Sequence, residues 1–157
     1  MISKDYNHII ADASCFILLN KIGELEILHK VFGQIITTSF IKTEFGGELP
    51  GWIIIKDPKD KKYQQLLETD VDKGEASGMA LALELENALL VVDDLKARKL
   101  SEKPGIDYTG TFGIILYARK TGVIVSVTPI LHKIRQTNFR LSDSLVNEIL
   151  KMAGETE

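Results

Sequence analysis

Two short stretches of the chain are apolar throughout and end in acid: His8-Ile9-Ile10-Ala11-Asp12 and Ala88-Leu89-Leu90-Val91-Val92-Asp93-Asp94. A run that is apolar at every position, without alternation, is the pattern of a strand buried on both faces. Such strands need covering layers on both sides, and the intervening sequence supplies them. From Asp72 onward Ala76, Met79, Ala80 and Leu83 recur at helical spacing, and Leu145, Val146, Ile149 and Leu150 give the last helix a core stripe. Strands alternating with amphipathic helices predict an α/β fold, a three-layer α/β/α sandwich around a central parallel sheet. The carboxyl edge of such a sheet is where ligands bind, so acid at the end of two strands marks a candidate site. The simpler alternative is that each Asp caps the helix that follows it.

The remaining pattern fills in the order of elements. Helices are expected over residues 14–20 and 24–31, broken at Gly23, and from 39 to 45 before Gly46-Gly47. Residues 35–38 read as a strand, and 52–56 as an edge strand after the turn Leu49-Pro50-Gly51. Helices are expected over 61–68, 96–100 and 111–120, with strand candidates at 105–108 and 123–127. The chain has 157 residues, 45% hydrophobic and 26% charged, and shows no linker, which predicts one domain over residues 1–157.

Composition narrows the function. Lys plus Arg number 19 against 22 Asp plus Glu, a net charge of -3 that excludes binding of nucleic acid or membrane by bulk positive charge. The single cysteine, Cys15, excludes a disulfide framework and a Cys-rich zinc site, and is expected to be a small buried hydrophobe. His8, His29 and His132 lack ligand spacing. No apolar run approaches the roughly 20 residues of a membrane span. Asp12 interrupts the apolar N-terminal stretch, which is not read as a signal peptide. A reducing, cytoplasmic setting is expected.

Two further carboxylates stand out. Glu75 closes Asp72-Lys73-Gly74-Glu75, which has the form of a capping box but lies one turn before Met79, at the margin of the apolar face. Glu44 falls in the last turn of its predicted helix, where the dipole disfavours negative charge; its alternative is a solvated surface residue. Gathering Asp12, Glu44, Glu75 and Asp93 or Asp94 would raise their pKa values, and a divalent cation removes that penalty. All-oxygen ligation favours Mg²⁺ or Mn²⁺ over zinc, and such ions activate water for in-line phosphoryl displacement. Phosphodiester hydrolysis without a His or Cys nucleophile is the chemistry this predicts.

Around these acids lie candidate substrate contacts. Ser14, two residues after Asp12, could hold a phosphate oxygen or cap the first helix. Thr109-Gly110-Thr111 could present hydroxyls and N–H groups to a phosphate, or be a turn with a capping threonine. Arg98, with Lys96 and Lys99, could contact phosphate or pair with an acid of the site. Arg119, Lys120, Lys133, Arg135 and Arg140 make the C-terminal third more basic, as an RNA footprint or as ordinary surface. Trp52 is read as packing rather than a base-stacking platform.

The chain resembles the PIN-domain nucleases, in particular a prokaryotic PIN subfamily related to VapC-type toxins. The resemblance rests on Asp12-Ala13-Ser14, Glu44, Asp72-Lys73-Gly74-Glu75-Ala76, Asp93-Asp94-x-x-x-Arg98 and Thr109-Gly110-Thr111-x-Gly113, in that order, with Asn138-Phe139-Arg140-Leu141-Ser142 before the last helix. It implies a metal-dependent endoribonuclease, with Asp12, Glu44, Glu75 and Asp93 or Asp94 as metal-binding acids, and a toxin of a toxin–antitoxin pair with an antitoxin partner. The chain departs from many such toxins in its Asp93-Asp94 pair, and Gly78 stands inside the helix of Glu75 at a cost of about 1 kcal/mol unless something packs close.

Two other functions compete. Phosphoryl-transfer domains of the receiver or haloacid dehalogenase type want a second acid near the first strand, where Asp12-Ala13-Ser14 supplies one. A non-catalytic PIN-like module would bind RNA or protein without turnover. A homodimer is also expected, through Phe16 to Leu19 and Ile27, Leu28, Val31 and Phe32, on the reading that these exceed what one sheet face needs.

Overall fold

The computed structural model describes Ile2 and residues 5–155. Its centre is a parallel sheet of β1 (His8–Ala11), β2 (Ile35–Thr37), β3 (Ile53–Ile55), β4 (Ala88–Val91) and β5 (Asp107–Thr109), in the order β3-β2-β1-β4-β5. Between β1 and β2 come α1 (Ala13–Lys21) and α2 (Glu26–Phe32), and α3 (Ser39–Phe45) leads to β3. Then α4 (Lys61–Leu67) and α5 (Lys73–Glu84) cross to β4, and α6 (Leu95–Glu102) joins it to β5. The chain ends with α7 (Thr111–Lys120), α8 (Thr128–Arg135) and α9 (Asp143–Ala153).

Strand alternation sorts the core onto two faces. Ile9, Ala11, Leu89 and Val91 face the layer of α1, α2, α7, α8 and α9. Ile10, Leu90 and Val92 face α4, α5 and α6. The two all-apolar strands are adjacent at the centre, paired from His8 with Ala88 to Ala11 with Val91. This is the α/β/α sandwich the sequence predicts, and β3 is the edge strand expected near 52–56. Among the described residues, no helix is long and apolar enough to cross a membrane.

Two expectations fail. Residues 123–127 form no strand; the chain turns there and enters α8, a helix that the strand reading did not anticipate. Val123 and Ile124 donate their N–H groups back to Ala118 O, and Val125 is 90% exposed, so this β-branched run closes α7 and pairs with no strand, although Val127 is buried in the core. The N-terminal helices also spend on the core most of the apolar surface credited to a dimer contact, with Ile17 left exposed. Phe16, Leu18, Leu19, Ile27 and Leu28 are buried in the core, and Phe32 stacks on Tyr117 at 6.0 Å. Two helices on this layer must cover β1 and also meet α7, which consumes most of the apolar side chains credited to a dimer contact.

Candidate functional site

Because every strand runs the same way, all five deliver their carboxyl ends to one edge. The chain leaves β1 toward β2 and β3, then returns to the other side of β1 through β4 and β5. Connections thus diverge between β1 and β4, which opens a crevice at their carboxyl ends. Asp12 follows β1 and Asp93-Asp94 follow β4, so both acid-ended runs open on this crevice. The backbone is pinned there: Asp12 N–H donates to Val91 O at 3.0 Å, Val92 N–H to Thr109 O at 2.8 Å, and Thr37 Oγ1 to Ala11 O at 2.9 Å.

Asp12 occupies the N-cap position of α1, yet its side chain makes no capping bond. It is 4% exposed, and its Oδ1 is buried without a hydrogen-bond partner. Burial pushes its pKa up to about 7; the Ala13 amide works against this, and the charges of Glu44, Asp72 and Asp93 add to it. A buried carboxylate with an unsatisfied oxygen is costly to leave as it is.

The two acids after β4 have different partners. Asp93 Oδ1 accepts from Thr111 N–H at 2.8 Å, and its Oδ2 from Thr111 Oγ1 at 2.6 Å and Ser14 Oγ at 3.3 Å. Asp94 caps α6, its Oδ2 accepting from Ala97 N–H at 2.9 Å. Asp93 is thus tied to α1 and α7, whereas Asp94 does what the capping alternative requires. The charge of Asp94 is nonetheless felt by Glu75.

Glu75 and Asp72 form the capping box of α5: Glu75 N–H donates to Asp72 Oδ1 at 2.8 Å, and Asp72 N–H to Glu75 Oε1 at 3.4 Å. The capping reading is therefore correct, but it does not exhaust the residue. Desolvation, followed by the charges of Asp72, Asp12 and Asp94, pushes the Glu75 carboxyl up to about 8. Glu44 reaches the same corner from the last turn of α3. Its Oε1 lies 3.2 Å from where a Cβ on Gly74 would stand, so the bare backbone of Gly74 admits it. Partial burial and the Asp72 charge raise its pKa. A buried contact of Thr38 Oγ1 with Ser77 Oγ at 2.6 Å holds α3 against α5.

Asp72 was missed as a site residue because the capping box accounted for it fully in sequence. In the structure it raises the pKa of Asp12, Glu44 and Glu75 together. The fold therefore brings Asp12, Glu44, Asp72, Glu75, Asp93 and Asp94 into one electrostatic neighbourhood. Among the described residues, no three His, Cys, Asp or Glu side chains stand close enough together to hold one metal ion between them as placed.

The other candidates divide. Arg98 Nε donates to Val92 O at 2.8 Å, and its guanidinium lies 3.7 Å from Asp93 Oδ1 and 5.8 Å from the centre of the Tyr108 ring. It takes up the salt-bridge alternative. Gly110 leaves room for this: a Cβ there would collide with the Arg98 guanidinium and lie 2.8 Å from Asp93 Oδ1. Thr111 is buried and holds Asp93, whereas the Thr109 hydroxyl presses against Gly113 and has no hydrogen bond to the carboxylates. Cys15 is buried, and desolvation with the Asp93 charge pushes its thiol up. Trp52 stacks on His29 at 5.0 Å, as a packing residue.

The family described as PIN domain matches residues 8–155. No curated protein and no solved structure matches the chain. The chain belongs to the PIN-domain family, whose members are typically nucleases that use divalent metal ions.

Proposed function

We propose that this PIN domain, over residues 1–157, is a Mg²⁺- or Mn²⁺-dependent endoribonuclease that hydrolyses phosphodiester bonds of RNA. The observation that carries this is Asp12 Oδ1, buried and unpartnered at the divergence point of the sheet, with other carboxylates raising its pKa. The donor set is all oxygen, which fits a hard divalent cation. Asp12, Glu44, Glu75, Asp93 and Asp94 would hold it, with Asp72 adding charge. A cation bound there supplies activation of water and charge stabilisation for in-line displacement at phosphorus.

The chain's own groups set the conditions. Asp12 and Glu75, raised to about 7 and about 8, retain protons near neutral pH and must release them to bind a cation. Ser14 and Thr111 fix the orientation of Asp93, and Arg98 is held by Val92 O beside it, where it can meet a phosphate oxygen. Thr109 is assigned a substrate role by its motif alone. A toxin role and an antitoxin partner belong to the same proposal and rest on the resemblance, and a cytoplasmic location rests on composition.

Purified protein with Mn²⁺ should cut single-stranded RNA, and EDTA should stop it. Asp12→Ala or Glu75→Gln should remove cutting while the circular dichroism spectrum is unchanged. A second reading, a non-catalytic RNA- or protein-binding module, is favoured by the use of Glu75, Asp93 and Asp94 as acceptors for backbone N–H groups. RNA binding without cleavage across a range of metals would select that reading.

A further inference from the structure

One face of α1 carries Ser14, Ile17, Leu18 and Lys21, spaced so that they line two turns, about 10 Å of helix. Along this face, and under the loop between α8 and α9, lies a cavity of about 340 Å³. Ser14 and Asp93, themselves hydrogen-bonded, line it together with Ile17, Leu18 and Phe139. Lys21 also borders it, with Nζ 2.7 Å from Asn138 Oδ1. The cavity therefore adjoins the acidic crevice and continues it over apolar surface.

Ile17 is 44% exposed and Phe139 45%, and both line this one cavity beside the charged site. The loop that carries Phe139 is not slack. Phe139 N–H donates to Thr137 Oγ1 at 3.1 Å, that hydroxyl donates to Ile134 O at 2.6 Å, and the ring rests at 6.2 Å on Phe112. Phe139 also borders a second, more open recess with Arg135 and Arg140. Arg135 is paired with Asp143, and Arg140 has no ion pair among the described residues. The order is thus acid, apolar wall with a supported aromatic ring, then cation. A positively charged track interleaved with aromatic rings is how single-stranded nucleic acid is held.

We propose that this cavity is a nucleobase subsite for single-stranded RNA, in which the base beside the cleaved phosphodiester stacks on Phe139 against Ile17 and Leu18, with neighbouring phosphates on Lys21 and Arg140. This rests on the nuclease reading for the position of the cleaved bond. A base in a duplex is already stacked on both faces and cannot enter, so the subsite selects unpaired RNA.

The test measures binding in EDTA, by anisotropy of a labelled seven-nucleotide single-stranded RNA and of the same strand made abasic, alongside Mn²⁺-dependent cutting. Phe139→Ala should weaken binding of the intact strand on the order of tenfold, the scale of one stacked base, with the melting temperature unchanged. Phe139→Trp should bind as the unmodified protein does. The abasic strand should bind weakly and be indifferent to Phe139→Ala. Lys21→Ala should lower the salt slope by about 0.7, one phosphate contact. If the unmodified protein cuts RNA while Phe139→Ala leaves affinity unchanged, or weakens both strands equally, the subsite is wrong and the nuclease reading stands. If Phe139→Ala selectively weakens the intact strand but nothing is cut under any metal, the subsite stands and the nuclease reading falls. Absence of RNA binding by the unmodified protein overturns the subsite.

Discussion

Thr111 donates twice to Asp93, from its backbone N–H at 2.8 Å and from its hydroxyl at 2.6 Å. An acid at the end of β4 thereby caps the helix that follows β5, so the carboxylate's orientation and the start of α7 are one feature. Thr111→Val keeps the shape and the N–H but removes the hydroxyl donor from a charged acceptor. It should destabilise the protein by roughly 1–3 kcal/mol in urea unfolding and lower Mn²⁺-dependent cutting. Unchanged stability would mean that this hydroxyl does not restrain Asp93.

Removing charge at Asp12 should act in the opposite sense. In metal-free buffer above about pH 7, where Asp12 has lost its proton, Asp12→Asn should leave the melting temperature unchanged or raise it, because it relieves the repulsion with Glu44, Asp72 and Asp93. Mn²⁺ should raise the melting temperature of the unmodified protein by ligand linkage and fail to raise that of the variant. A large metal-free loss in Asp12→Asn would assign Asp12 a structural role instead.

The same carboxyls predict a pH dependence. Asp12 is raised from 3.8 to about 7 and Glu75 from 4.5 to about 8, so each binds its proton more tightly folded than unfolded. Between about pH 4 and pH 8 the folded state holds more protons, and their contribution to stability falls as pH rises. Thermal melts without metal should show this decline, and Asp12→Asn should show less of it. The stabilisation by Mn²⁺ should grow over the same window, because the cation displaces those protons.

Gly78 offers a test of packing. A Cβ there would lie 3.4 Å from Leu90 Cδ1 and 3.5 Å from Ile41 Cδ1, which is ordinary contact. Gly78→Ala should therefore stabilise the protein by about 0.5–1 kcal/mol through helix propensity, measured by denaturant unfolding. A loss of stability would show that the close approach of α5 to β4 depends on the bare backbone.

Much of the fold was legible because its signals are local. The uninterrupted runs of β1 and β4 announced strands buried on both faces, and the stop at Gly46 and the capping box opened by Asp72 marked helix ends that the structure keeps. The helix α8 was not read from the sequence. Its first N–H groups, those of Val127 and Thr128, are taken by the carboxylate of Glu155, which also accepts from the hydroxyls of Ser126 and Thr128. Burial alone would raise the Glu155 carboxyl, yet these donors hold it down to about 2. The helix also carries Pro129 in its first turn, a local start signal that reading 123–127 as a strand passed over; the carboxylate 27 residues away is what the tertiary structure adds.

The candidate site divides along the same line. Sequence by itself determined that Asp12 and Asp93-Asp94 end buried strands, because an apolar run closed by acid is a statement about neighbouring residues. It also determined the capping box of Asp72 and Glu75. Only the tertiary structure decided that α3 and α5 bring Glu44 and Asp72 to the same edge, that Asp93 serves α7 while Asp94 serves α6, and that Phe139 comes to the end of α1. It also decided that Ile27 and Leu28 belong to the core and not to a partner. Local patterns report which face of an element is apolar; which neighbour covers that face is settled by chain crossovers and packing, which a periodicity does not encode.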